Sequence, residues 1–163
     1  MNHNCDNDDF LFMEKACKLA DISIECGGGP FGALVVDSLK KNIVGKGHNM
    51  VTINNDPTQH AEIVAIRDAC KNLGTYNLSE HILYTSCEPC PMCLSAIYWS
   101  RINFVYYGNT RKDAANIGFD DDFIYDEISK PNKNRSINME RCNEEKAIKS
   151  FETWSHKLNK KIY

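Results

Sequence analysis

Two short segments constrain this chain more than anything else in it: Pro57-Thr58-Gln59-His60-Ala61-Glu62 and Pro89-Cys90-Pro91-Met92-Cys93. One imidazole and two thiolates supply three metal ligands, and zinc prefers four. A structural zinc site fills the fourth place with protein, whereas a catalytic one keeps it for water. His60, Cys90 and Cys93 are therefore the expected ligands, and Glu62 is expected beside them as a proton carrier rather than a ligand.

Each half alone says little. His-x-Glu occurs by chance on surface helices, and Cys-x-x-Cys also serves redox pairs and half-sites of structural zinc. Together, with a proline on each side of Cys90 and each half opening a helix, they point to a catalytic centre. The competing class is a structural zinc module. Cys87 is the reason to weigh it, since Cys87, Cys90, Cys93 and His60 would close a four-ligand site. A closed site leaves Glu62 without a task, so Cys87 is read as a packed thiol at a strand end.

The remaining pattern places these segments in an α/β chain. Asp8 to Cys26 reads as a helix, with Phe12, Ala16, Leu19, Ala20 and Ser23 on one face and Ile24 extending it. Gly27-Gly28-Gly29-Pro30 ends it. A phosphate loop is the other reading of those glycines, but no Gly-Lys-Ser/Thr follows and no strand precedes. Residues 31–37 and 43–50 read as a β-hairpin. Asn49, near its end, is a turn residue on the bland reading and a base-recognising amide on the functional one.

Residues 56–73 read as a helix opened by a capping box, with Asp56 as N-cap, Pro57 first and Gln59 reaching back. On a regular helix His60 and Glu62 lie roughly 200° apart, so His60 is placed in the first turn. Residues 82–86 form a third strand that runs into Cys87. Cys90 and Cys93 then begin an apolar helix, where the dipole favours thiolate. A fourth strand covers 103–107. Short helices are expected at 111–115 and 123–128, irregular chain at 129–143, and a last helix at 144–158 with Ala147, Ile148, Phe151 and Trp154 on one side. Helices alternating with strands imply a three-layer α/β/α sandwich around a mixed sheet of about five strands. No linker or repeat divides the 163 residues, which read as one domain.

Composition narrows the partners. The formal net charge is -3, whereas a phosphate-backbone binder usually carries a basic excess. A small substrate is expected, with no nucleic acid and no membrane partner. Eight cysteines without a secretion signal read as reduced thiols in the cytoplasm.

The joint metal signature is that of zinc nucleobase deaminases. At these residues the chain resembles the cytidine deaminase-like superfamily, and within it the bacterial guanine deaminases. The likeness extends through Gly28-Gly29-Pro30-Phe31-Gly32-Ala33, Asn54-Asn55-Asp56-Pro57-Thr58, Ile82 to Cys93, Gly118-Phe119-Asp120-Asp121 and the terminal Lys160-Lys161-Ile162-Tyr163. The zinc segments are common to the superfamily; the Gly-Phe-Asp-Asp segment and the aromatic terminus are more particular. The resemblance implies attack of water at C2 of guanine, giving xanthine and ammonia, with one Zn2+ per subunit. It implies Glu62 as proton shuttle, Asp121 as a second acid, and Asn49, Ala61 and Tyr163 as binders of the base. It also implies a homodimer that exchanges segment 144–163. On residue type alone, Asp120-Asp121-Asp122 would be a solvated loop. The rivals that share the zinc core are transfer-RNA adenosine deaminases and cytosine-type deaminases.

The chemistry explains why these residue types occur together. Water is too weak an acid to attack an amidine-like carbon unaided, and zinc lowers its pKa from 15.7 to about 7. Two thiolates and a neutral imidazole cancel the metal's charge, which makes the site a milder Lewis acid. A neighbouring carboxylate is then more necessary as acid and base.

Overall fold

The computed structural model describes residues 5–119 and 121–163. The chain divides into two compact units, Met1–Asp122 and Phe123–Tyr163.

The first unit is built on a sheet of four strands in the order β2-β1-β3-β4, one fewer than the five or so expected. The strands are β1 (Gly32–Asp37), β2 (Ile43–His48), β3 (His81–Cys87) and β4 (Phe104–Asn109). β1 pairs antiparallel with both β2 and β3, and β3 pairs parallel with β4. The parallel pair needs a crossover, supplied by helix α4 (Pro91–Trp99). Alternation along β1 decides the layering. Ala33 and Val35 join a core with Ala61, Ala65, Ile66, Ala69 and Leu83 on one face. Leu34 and Val36 pack with Phe12, Ala16 and Tyr84 on the other. Both faces are thus covered, α3 (Ala61–Leu73) lying on one and α1 (Asn7–Glu25) on the other. This is the three-layer sandwich read from the sequence.

α1 begins at Asp6, whose side chain accepts from Asp9 N while Asp9 returns the bond, a capping box not foreseen. The expected inner face holds for Phe12, Ala16, Ala20 and Ser23, but Ile24 points outward. Across the core, Tyr84 Oη donates to the Asp9 carboxylate at 2.6 Å. Burial alone would raise the Asp9 pKa. The bond from Tyr84 and the Asp6 backbone N–H more than offset that and hold it below the usual value.

The helix expected from residue 56 begins later. His60 is its N-cap, with extended backbone (φ -69, ψ 154). Asp56 instead organises a turn, accepting from Thr58 N, Thr58 Oγ1 and Gln59 Nε2. Pro57 and the Asx-type bonds satisfy local donors equally well in a turn, so the capping-box reading placed the start too early. A short helix α2 (Val51–Asn54) precedes that turn and was not anticipated. α3 crosses β2 closely. A Cβ on Gly47 would sit 2.5 Å from Ala61 O and 2.6 Å from Ala65 N, and one on Gly45 2.4 Å from Ala65 O. Glycine is the residue that allows this backbone approach.

α5 (Arg111–Asn116) starts at Thr110 with a second capping box, formed with Asp113. α6 (Asp122–Ser129) begins at the last residue of the first unit and runs into the second, where a 3-10 turn at Asn132–Asn134 and α7 (Glu144–Ser155) follow. Arg135 ties the intervening chain by donating to the carbonyls of Glu127, Ile128 and Lys130. The Ile148, Phe151 and Trp154 side of α7 is exposed. No helix among the described residues is long and apolar enough to cross a membrane.

Candidate active site

The two metal-type segments meet at the N-termini of α3 and α4. Each segment places a ligand at a helix start. His60 caps α3. Cys90 caps α4, with Pro91 at its first position and Cys93 buried one turn in. The extended backbone at His60 resolves the angular conflict with Glu62, because the imidazole precedes the helix while Glu62 lies in its first turn.

Among the described residues, one set of three donors clusters tightly: His60, Cys90 and Cys93, with their ligand atoms all within 4.8 Å of one another. Cys90 Sγ and Cys93 Sγ each lie 3.5 Å from His60 Nδ1. A tetrahedral zinc with bonds of about 2.1 Å to nitrogen and about 2.3 Å to sulfur separates those atoms by about 3.6 Å. The residues present fit the ion. Cys87 is not in the set. Its buried thiol bonds instead to Thr110 O at 3.7 Å, and burial pushes its pKa up to about 11. The four-ligand structural module therefore lacks its fourth ligand.

The protonation pattern suits metal capture. The neighbouring Cys93 thiol and the His60 imidazole bring Cys90 down to about 4. Cys93 is raised by Cys90 and by burial. Cys90 raises His60 in turn. A metal held there would be ligated by thiolates, so its binding would be accompanied by loss of any proton that remains on the pair. Glu62 is 6% exposed, and Cys93 Sγ donates to its Oε2 at 3.4 Å. Burial pushes its carboxyl up to about 7, in the range where a group both takes and gives protons.

A cavity of about 440 Å³ opens above this cluster, a size that accepts a small heterocycle. His60, Glu62 and Cys90 form its floor, and Asn49 and Asp121 reach it from other elements. Burial raises the Asp121 carboxyl as well. Asp122 instead pairs with Arg111 Nε at 3.2 Å on the surface, so of these two acids Asp121 faces the cavity. Asp120 lies outside the described residues. Ala61 is fully buried in the core at the first position of α3 and does not line the cavity. Tyr163 ends the second unit and is exposed.

Phe31, Phe119 and Glu88 also line the cavity, and the sequence reading gave them no role there. Phe31 and Phe119 meet edge to face at 4.9 Å between centroids, an apolar wall for a flat ring. Glu88 lines the cavity and accepts from Arg111 N at 3.0 Å, tying the cysteine loop to α5. No local periodicity marks any of them, because each acts across more than 20 residues of chain.

Comparison with known proteins agrees with the geometry. Residues 6–109 match the cytidine and deoxycytidylate deaminase zinc-binding region. The guanine deaminase of Bacillus subtilis (strain 168) is 48% identical, with both chains covered in full. A crystal structure of guanine deaminase from Bacillus subtilis superposes with a TM-score of 0.90, covering 100% of this chain and 99% of that one. A tRNA-specific adenosine deaminase of Haemophilus influenzae is 41% identical over 68% of this chain and 63% of its own length. A guanine deaminase structure from Nitrosomonas europaea gives a TM-score of 0.67 at 30% identity, covering 72% and 66% of the two chains.

Proposed function

The chain belongs to the cytidine and deoxycytidylate deaminase zinc-binding family, and from that membership we propose that it hydrolyses guanine to xanthine and ammonia. One observation carries the choice of base. The likeness to the Bacillus subtilis guanine deaminase runs the full length, whereas the likeness to the tRNA-specific adenosine deaminase of Haemophilus influenzae covers 68% of this chain. The net charge of -3 also disfavours a polyanionic substrate.

His60, Cys90 and Cys93 would hold one zinc ion per subunit. When bound, the ion supplies Lewis acidity that makes a hydroxide nucleophile available near neutral pH. The remaining steps fall to side chains. Glu62 takes a proton from the attacking water, delivers it to a ring nitrogen beside C2, and then helps protonate the departing amino group. The C2–O bond forms first, as the C2 to ring-nitrogen double bond becomes single and that nitrogen takes the first proton; the new C2 hydroxyl then gives up the second proton to the amino group, and C2=O forms as the C2–N bond breaks and ammonia leaves. Asp121 lines the same cavity as a second acid for the leaving amine. Phe31 and Phe119 flank a flat ring, and Asn49 supplies an amide to its edge.

The resemblance also supports a cytoplasmic homodimer that exchanges C-terminal segments, with Tyr163 contributing to base binding. The unburied Ile148, Phe151 and Trp154 of α7 are consistent with a partner surface. The decisive assay supplies free guanine, cytosine, adenine and an anticodon stem-loop to the zinc-loaded protein and measures ammonia. Turnover of guanine alone is expected. Turnover of the stem-loop without guanine overturns the substrate assignment.

A further inference from the structure

Asn49 enters the cavity from the link between β2 and α2, with only 6% of its surface exposed. Its side-chain oxygen accepts from two backbone donors, Gly29 N at 3.3 Å and Val51 N at 3.2 Å. Two donors on one side of an amide identify that atom as oxygen and leave Nδ2 on the other side. Nδ2 itself makes no hydrogen bond to an acceptor among the described residues. The cavity therefore presents a donor at this point and favours a ligand with an acceptor there.

The backbone of Asn49 is clamped independently. Its N–H donates to Phe31 O at 2.9 Å. Its carbonyl accepts from Ser23 Oγ at 2.8 Å, with His48 Nδ1 3.2 Å away. Ser23 is fully buried on α1, 26 residues distant in sequence. Its own carbonyl accepts from Gly28 N at 2.8 Å. Nothing larger than hydrogen fits on Gly28, since a Cβ would lie 2.4 Å from Asn49 O and 2.6 Å from Ser23 Oγ. Thr52 Oγ1 closes the ring by donating to Gly27 O at 2.7 Å. The end of α1, the glycine loop and the β2–α2 corner form one hydrogen-bonded unit around Asn49. A buried serine on a helix face is ordinarily a locally satisfied packing residue. Here its partner is the backbone of the residue that faces the cavity.

We propose that Ser23 is a positioning residue for substrate selection, holding Asn49 so that its amide N–H groups, and not its carbonyl oxygen, meet the purine edge. This rests on the guanine reading above. Guanine offers a carbonyl oxygen at C6 as an acceptor. 2-Aminopurine carries the same amino group at C2 but lacks that oxygen, so the two bases separate recognition from chemistry.

The test compares the zinc-loaded wild type with Ser23→Ala, Asn49→Ala and the double variant on both bases. For Ser23→Ala, KM for guanine should rise about tenfold while kcat falls less than about threefold, as loss of one buried hydrogen bond allows. The preference for guanine over 2-aminopurine in kcat/KM should shrink by a similar factor, with zinc content and melting temperature close to wild type. In the Asn49→Ala background, Ser23→Ala should change that preference no further. Equal losses on both bases, or loss of zinc or kcat at unchanged KM, would give Ser23 a purely structural role and overturn the proposal. A wild type inert toward guanine removes the underlying reading and this assignment with it. An active wild type whose preference survives Ser23→Ala removes the assignment alone.

Discussion

Gly47→Ala puts the smallest possible side chain where β2 crosses the first turn of the helix that carries Glu62. The added Cβ would stand 2.5 Å from Ala61 O, 2.6 Å from Ala65 N and 2.8 Å from Val64 Cβ. Two of those atoms are backbone, so no rotamer change relieves the contact. Restoring ordinary van der Waals separation moves the first turn of α3 by about 0.9 Å. Ala61 lies between His60 and Glu62, and both must travel with it. Zinc sites tolerate ligand errors of about 0.2 Å, and a catalytic group misplaced by about 1 Å costs on the order of 100-fold in rate. Overpacking a core costs about 1–3 kcal/mol in stability. The expected phenotype is weaker zinc binding in chelator competition and kcat/KM for guanine about 100-fold lower at saturating zinc. Urea unfolding should show stability reduced by about 1–3 kcal/mol. Gly74→Ala is the control. Gly74 caps the far end of the same helix at φ +65, and a methyl group there would meet no heavy atom within 4 Å. It should cost about 1 kcal/mol of stability and leave zinc affinity and turnover intact. Wild-type zinc affinity and turnover in Gly47→Ala would show that α3 can retreat without carrying the site, and the reasoning would be wrong.

Three further outcomes are expected. Glu62→Gln keeps the buried shape but cannot carry a proton, so kcat should fall by about 10²–10⁴-fold with zinc content unchanged; a loss under tenfold would assign the proton transfer elsewhere. Cys87→Ser should retain zinc and most activity while Cys90→Ser loses both, as read by metal analysis and ammonia release; equal zinc loss would revive the closed structural site. Tyr84→Phe removes the 2.6 Å donor to Asp9 inside the α1 face and should destabilise by about 1.5–3 kcal/mol at neutral pH in urea unfolding. Because the folded Asp9 pKa is lowered, its contribution is present above the unfolded value near 3.8 and lost as pH falls through the lower folded value. The gap between wild type and Tyr84→Phe should therefore narrow as pH falls below the unfolded value of 3.8, and a gap that widens there would contradict the assignment.

Much of the fold was readable because its signals are local. The apolar run at 31–37, the glycine stop after α1 and the Pro91 start of α4 each act within a few residues. The misplaced start of α3 shows the limit. Asp56, Pro57 and Gln59 satisfy helix-start chemistry and turn chemistry alike, and the choice between them was made by the need to aim His60 at Cys90 and Cys93. Glu88, Phe31, Phe119 and Ser23 carry no local mark of these roles, since each acquires its role from a partner on another element.

Residue identity alone determined the chemistry available to this chain. One imidazole, two thiolates and a carboxylate at those spacings already imply a metal with a free coordination place and a proton carrier beside it, because ligand softness and charge belong to the side chains. Tertiary structure decided what that chemistry can be applied to. It excluded Cys87 from the ligand set by burying its thiol against Thr110, turned Asp121 and not Asp122 into the cavity, and pinned the Asn49 side-chain oxygen on the backbone N–H groups of Gly29 and Val51. Each is a choice that residue type leaves open, and only the positions of distant backbone donors and packed neighbours can make it.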